Sequence, residues 1–199
     1  MRNKKNVKEG ACMRVIAGTA RSLQLKSVPG MDTRPTTDRI KETLFNILAP
    51  YIPESDFLDL FSGSGGIGIE ALSRGANRAY LVENSRNAVK VIRDNLAHTK
   101  MEQRAEVIPY DAVSSIRMLE GKHGAFDVIF MDPPYNRELE KEVLYALADS
   151  SLAGNDTLIV VESSLETEFD YLEQLPFYID RVKEYKTNKH TFLYRETEM

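Results

Sequence analysis

Phe57-Leu58-Asp59-Leu60-Phe61-Ser62-Gly63-Ser64-Gly65-Gly66-Ile67-Gly68 is the stretch whose reading decides the fold. Its first five residues have the length and composition of a strand, and residues 67–74 read as a helix. Gly63, Gly65 and Gly68 keep the Gly-x-Gly-x-x-Gly spacing of a nucleotide-binding turn between the two. Glycine there lets the backbone turn tightly and approach a ligand that a Cβ would hold away. Glu83 lies twenty residues beyond Gly63, at the end of the next apolar run, where it can accept hydrogen bonds from two ribose hydroxyls. The combination implies a nucleoside-containing cofactor.

Working outward, apolar runs alternate with helical stretches. Strands are predicted at 78–82, 105–109, 126–131 and 157–162, and helices at 85–98, 112–119 and 137–149. Several of the runs are apolar throughout, as in a parallel sheet covered on both faces. The fold class is therefore α/β, a doubly wound Rossmann-like domain around a mostly parallel seven-stranded sheet. Residues 177–185 and 191–194 predict a C-terminal antiparallel hairpin closing that sheet. Upstream, Val15-Ile16-Ala17-Gly18 and Leu23-Gln24-Leu25 predict a small N-terminal β-hairpin. Thr36, Thr37 or Asp38 can then cap a helix with Ile40, Leu44, Phe45 and Leu48 at helical spacing, ended by Pro50 and Pro53.

The charge is unevenly distributed. The 199-residue chain has a net charge of -4, but residues 1–41 hold ten Lys/Arg against three Asp/Glu, a net of +7, which leaves -11 for residues 42–199. A basic segment on an acidic body is the footprint of phosphate contact at one end of the chain. Residues 1–12 read as a flexible basic tail, since Met13 opens the first apolar pattern. A single cysteine, Cys12, and three histidines give no recognisable metal-ligand spacing, so no metal is expected. No apolar stretch approaches the roughly 20 residues of a membrane span, and no apolar segment follows the basic start as in a secretory signal. The expected location is cytoplasmic.

The glycine loop serves dinucleotides and S-adenosylmethionine alike. Asp59 favours the second, because an acid near the end of the first strand can hold the ammonium of a methionine tail and would repel a pyrophosphate. Asp111, in Pro109-Tyr110-Asp111-Ala112, can pair with an adenine amino group and can equally cap the helix starting at Ala112. With Phe61, Gly63, Ser64, Gly65, Gly68 and Glu83, these two acids form the candidate cofactor pocket.

The strand at 126–131 runs into Asp132-Pro133-Pro134-Tyr135. Two prolines fix φ and keep the preceding residues out of helical conformation, so the loop is rigid and extended. A primary amino group on a base needs acceptors for its two hydrogens while its lone pair attacks a methyl sulfonium. The Asp132 carboxylate and the Pro133 carbonyl can supply them, and Tyr135 offers a flat face for stacking. Asp132, Pro133, Pro134 and Tyr135 are thus the candidate catalytic residues.

Asp/Asn-Pro-Pro-Tyr after the fourth strand of such a fold resembles the signature of amino-group methyltransferases acting on DNA, RNA or protein glutamine. The chain is more specifically similar to the bacterial RsmD family. The similarity rests on Met13-Arg14-Val15-Ile16-Ala17-Gly18, on Thr33-Arg34-Pro35-Thr36-Thr37-Asp38-Arg39, on the glycine loop with Glu70-Ala71-Leu72-Ser73-Arg74-Gly75-Ala76, and on the Asp132 loop. It implies a class I S-adenosylmethionine-dependent methyltransferase fold that methylates the N2 amino group of a guanine in 16S ribosomal RNA, within a nearly assembled small subunit. It further implies that Arg34, Pro35 and Thr36 line the substrate and cofactor end of the pocket, and that the basic residues Arg14, Arg21, Lys26, Arg34 and Arg39 hold RNA. On this reading residues 13–53 form an RNA-contacting extension and residues 54–199 the methyltransferase domain.

Four other readings share some of these features. A DNA adenine or cytosine methyltransferase would use the same loop on a flipped base, but no connection here is long enough for a target-recognition segment. A protein-glutamine methyltransferase typically carries Asn where Asp132 stands. A nicotinamide oxidoreductase leaves the Asp132 loop unexplained. A non-catalytic RNA-binding module requires that the pocket bind no cofactor.

Overall fold

The computed structural model describes residues 13–28, 38–135 and 137–196. A two-stranded ribbon, β1 (Met13–Arg14) and β2 (Gln24–Leu25), precedes α1 (Asp38–Leu48). The main run follows as β3 (Asp56–Asp59), α2 (Gly66–Ser73), β4 (Arg78–Val82), α3 (Arg86–Thr99), β5 (Ala105–Ile108), α4 (Ala112–Leu119), β6 (Val128–Met131), α5 (Leu139–Ala148), β7 (Leu158–Ser163), β8 (Phe177–Glu184) and β9 (Lys189–Arg195). The sheet order is β5-β4-β3-β6-β7-β9-β8. The first five strands are parallel, and β9 runs antiparallel to both β7 and β8. The doubly wound sheet and its closing hairpin are as the sequence pattern predicts.

Alternation along each strand divides the core in two. Phe57, Ala79, Leu81, Val128 and Phe130 pack on one face, against Leu44, Phe45 and Leu48 of α1, Ile69 and Leu72 of α2, and Ile92 and Leu96 of α3. Leu58, Tyr80, Val82, Ile129 and Met131 pack on the other, against Ile116 and Leu119 of α4 and Val143, Leu144 and Leu147 of α5. Both faces are covered, so the strands read as unbroken apolar runs. Val15, Ala20 and Leu25 belong to the first cluster, so the ribbon shares the core of the sheet. Among the described residues no helix is long and apolar enough to cross a membrane.

The N-terminal ribbon departs from expectation. Its strands are Met13–Arg14 and Gln24–Leu25, whereas the apolar run predicted the first strand at residues 15–18. The ladder partly continues, with Val15 N bonded to Leu23 O at 3.0 Å, but the Ile16 and Ala17 amides go to the Glu70 carboxylate at 2.7 and 3.0 Å. At Gly18 (φ 80°) the chain presses on α2 so closely that a Cβ there would stand 1.8 Å from the Ser73 carbonyl oxygen. A side-chain acceptor on α2 replaces a strand partner, which alternation of apolar residues does not reveal. The short 3₁₀ turns Glu102–Arg104 and Asp170–Gln174 are likewise unforeseen.

Candidate active site

β3 and β6 are neighbours, and the chain leaves them in opposite directions across the sheet, so a crevice opens at their carboxyl ends. On the β3 side the backbone turns through Gly63 (φ 54°) and Gly65 (φ 82°), a left-handed conformation that suits glycine. Gly65 is the N-cap of α2, and no side chain caps that end. Gly68 does different work: a Cβ there would meet Leu81 Cδ2 at 2.3 Å, so its bareness lets α2 lie on β4. Glu83, at the end of β4, accepts from Gly63 N at 2.9 Å through one oxygen and from Ser85 N at 2.8 Å through the other. The acid therefore shapes the loop while each oxygen keeps a lone pair for a ligand. Phe61 and Ser64 are partly buried on the same loop.

Four acids, Asp59, Glu83, Asp132 and Glu162, act on one another at the crevice. Asp59 is 1% exposed, and no donor among the described residues meets either carboxylate oxygen in good hydrogen-bond geometry, although the Phe61 and Gly68 amides and the Ser62 hydroxyl lie close by. Burial pushes its pKa up to about 7; the Phe61 and Gly68 amides and the Ser62 hydroxyl pull it back partway, and Glu83 adds repulsion. Asp132 lies just past β6 and is partly exposed. Its carboxyl is raised well above the ordinary range by desolvation first, then by the charges of Glu162 and Asp59. Buried acceptors without donors are rare in folded proteins. A ligand bringing an ammonium and hydroxyl or amino donors would satisfy this crevice, and a pyrophosphate would not. Asp111, after β5, is exposed and caps α4 by accepting from Ser114 N at 2.9 Å, a bond that lowers its pKa.

A sequence model of the family described as Conserved hypothetical protein 95 matches residues 13–196. Ribosomal RNA small subunit methyltransferase D of Escherichia coli (strain K12) is 40% identical over 156 residues, which cover 77% of this chain and 76% of that protein. The protein of the same name from Haemophilus influenzae is 37% identical over 152 residues, covering 76% and 78%. The solved structure of yhhF from Escherichia coli superposes with a TM-score of 0.79 at 37% identity, covering 94% of this chain and 99% of that one. The chain belongs to the RsmD family. Its fold is that of the class I methyltransferases.

In this RsmD-family chain the loop after β6 rests on residues that the sequence reading missed. Tyr135, 41% exposed, donates its hydroxyl to Glu162 Oε1 at 3.2 Å. Asn188 Nδ2 donates to the same oxygen at 2.6 Å, and His190 Nε2 lies 2.9 Å from Oε2. A carboxylate only accepts, so Nε2 is the donating nitrogen; Nδ1, 3.2 Å from Tyr185 Oη, is left to accept from that hydroxyl in the neutral ring. Burial and then Glu162 push the Tyr185 phenol up to about 12. One signal was legible: Leu158-Ile159-Val160-Val161-Glu162 puts an acid at the carboxyl end of a buried strand, where function concentrates.

The ribbon is wired to the same crevice. Asn95 of α3, buried, donates to Ser64 O and Lys26 O and accepts from Lys26 N, so it joins the glycine loop to the end of β2. Met13 Sδ would stand 2.6 Å from a Cβ at Gly66. Deeper, Glu70 receives the Ile16 and Ala17 amides and pairs with Arg74 at 2.7 Å and Lys41 at 3.4 Å. Lys41 also donates to the Arg14 carbonyl, and burial lowers its pKa against the pull of Glu70. Of the basic residues singled out in the sequence, Arg14 and Lys26 are exposed and paired with Asp38 at 2.8 Å and Asp94 at 2.9 Å. Arg21 and Arg39 are exposed. Arg34, Pro35 and Thr36 lie outside the described residues.

Proposed function

We propose that this protein transfers a methyl group from S-adenosylmethionine to the exocyclic N2 amino group of a guanine in 16S ribosomal RNA, in the nearly assembled small subunit. The observation that carries the reading is the meeting of two loops at one topological switch point: the Asp59–Glu83 pocket at the ends of β3 and β4, and Asp132-Pro133-Pro134-Tyr135 at the end of β6. The names of the Escherichia coli and Haemophilus influenzae relatives support ribosomal RNA as the acceptor.

When bound, S-adenosylmethionine supplies an electrophilic methyl on a sulfonium sulfur. Asp59 holds the ammonium of the methionine tail, and Glu83 accepts from the ribose hydroxyls with the lone pairs that Gly63 and Ser85 leave free. Asp111 keeps acceptor capacity beyond its cap for the adenine amino group. Phe61, Ser64 and Gly65 line the loop, and by the family resemblance Arg34 and Thr36 contribute to cofactor binding. Asp132 and the Pro133 carbonyl accept the two hydrogens of the base amino group and aim its lone pair. That nitrogen is a weak nucleophile, so alignment carries much of the catalysis. Charge developing on it in the transition state strengthens both hydrogen bonds. The raised pKa of Asp132 makes it a competent acceptor for the departing proton. Tyr135 stacks on the base, a contact worth about 1–3 kcal/mol. Arg14, Arg21, Lys26, Arg34 and Arg39 meet phosphates.

The test is radiolabelled methyl transfer from S-adenosylmethionine to three acceptors: small subunits from cells lacking the modification, naked ribosomal RNA and duplex DNA. Small subunits should be the best acceptor. Label in duplex DNA alone would overturn the assignment.

A further inference from the structure

We propose that Glu162 is a positioning residue for methyl transfer: it holds Tyr135 by the phenol hydroxyl, so that a ring on an exposed loop presents one fixed face to the target base. The inference rests on the methyltransferase reading above.

Tyr135 ends the Pro-Pro loop with its ring 41% exposed, and a tyrosine so placed has two side-chain torsions to freeze before a base can stack on it. The hydroxyl bond to Glu162 fixes both torsions in advance. The anchor is itself immobile. Glu162 is 4% exposed, stands directly across the ladder from His190, and is gripped by Asn188 and His190 through different oxygens. His190 is fully buried and backed by Tyr185. The antiparallel hairpin thus passes its rigidity through one carboxylate to the catalytic loop. A purely structural account meets an obstacle here. Burying a carboxylate is costly, and Glu70 offsets that cost with Lys41 and Arg74, whereas the only basic side chain bonded to Glu162 among the described residues is His190. Strand pairing alone needs no acid at this position.

Glu162 also acts on Asp132 by charge. The acids facing Asp132 are Asp59 from β3 and Glu162 from β7; Tyr135 follows on its own loop, and His190 and Tyr185 stand behind Glu162. Removing the Glu162 charge lowers the pKa of Asp132, and the acid limb of kcat moves to lower pH.

The experiment is a double-mutant cycle on the full-length protein, with labelled S-adenosylmethionine and small subunits lacking the modification. Tyr135→Phe and Glu162→Ala should each lower kcat by about tenfold, the loss of one hydrogen bond to a charged group. The double variant should be no slower than the worse single, because both break the same contact. KM for S-adenosylmethionine should stay within about twofold, since neither residue belongs to the cofactor pocket. Glu162→Gln, whose amide oxygen still accepts from Tyr135, should regain most of kcat at neutral pH and shift the acid limb downward. This conservative variant keeps the test open should Glu162→Ala fail to fold. Multiplicative losses in the double variant, or a Glu162→Gln as slow as Glu162→Ala in a protein of wild-type melting temperature, would overturn the inference. Failure of the wild type to label small subunits would instead overturn the functional reading beneath it.

Discussion

Glu70 and Asp59 are both sealed from solvent, at 0% and 1% exposure, and their surroundings are opposites. Glu70 accepts two backbone amides and pairs with Arg74 and Lys41, so its charge is answered on every side. Asp59 has no cation beside it and no well-aligned donor among the described residues, only the nearby Phe61 and Gly68 amides and Ser62 hydroxyl, and the further charges it feels include those of Glu83 and Asp132. Stability alone would favour satisfying both acids or replacing both. The satisfied one clamps the ribbon to α2. The poorly satisfied one lies at the switch point of the sheet.

If Glu70 is a structural clamp, Glu70→Ala leaves Lys41 buried without its counter-charge. The largest effect follows, a loss of about 3–5 kcal/mol in urea unfolding. A change within about 0.5 kcal/mol would mean that the two acids do not differ in kind. Asp132→Ala should lower methyl transfer by about 10²–10³-fold with cofactor affinity largely retained, by analogy with deleting one aimed polar group in other active sites. Full turnover by this variant would remove Asp132 from the mechanism. Glu83→Ala should act on the other half of the crevice, weakening S-adenosylmethionine binding about tenfold or more in calorimetry, the worth of hydrogen bonds to a charged group. Unchanged affinity would place the ribose elsewhere.

A separate, pH-dependent effect on stability concerns Asp59 in the ligand-free protein. The unfolded chain ionises this carboxyl from about pH 4, whereas the folded chain keeps its proton until about pH 7. Stability contributed by the site therefore falls as pH rises from about 4 to about 7 and is flat above. Asp59→Asn removes the penalty, so its melting temperature should exceed the wild type by ~10 °C at pH 8, with the gain vanishing near pH 4. A variant less stable than wild type at pH 8 would show that Asp59 is satisfied in ways the geometry lacks.

The same contrast explains what could be read from the sequence. The alternation of apolar runs with helical stretches, the glycine spacing and the Asp-Pro-Pro-Tyr string are local patterns, and each sits where the pattern implies. Gly63 and Gly65 could be named from their spacing between a strand and a helix, and Glu83 and Asp132 because each follows a strand directly. Lys41 and Glu70 could not be paired, since they lie 29 positions apart in the chain and each looks like a solvated charge on its own helix. Lys41 left one trace, a cation beside Leu44 and Phe45 on the buried stripe of α1. The Glu162, Asn188 and His190 grouping depends on the register of β7 against β9, which no local pattern specifies. The first strand of the ribbon shifted for the same reason, because its partner for Ile16 and Ala17 is a distant side chain.

The most direct test of the central claim is the identity of the product. Small subunits lacking the modification are treated with the enzyme and labelled S-adenosylmethionine, and their RNA is digested to nucleosides and separated. The account predicts label in N2-methylguanosine, lowered by about 10²–10³-fold in Asp132→Ala. Label in a methylated adenosine or cytidine, or on a ring carbon or ribose oxygen, would contradict it.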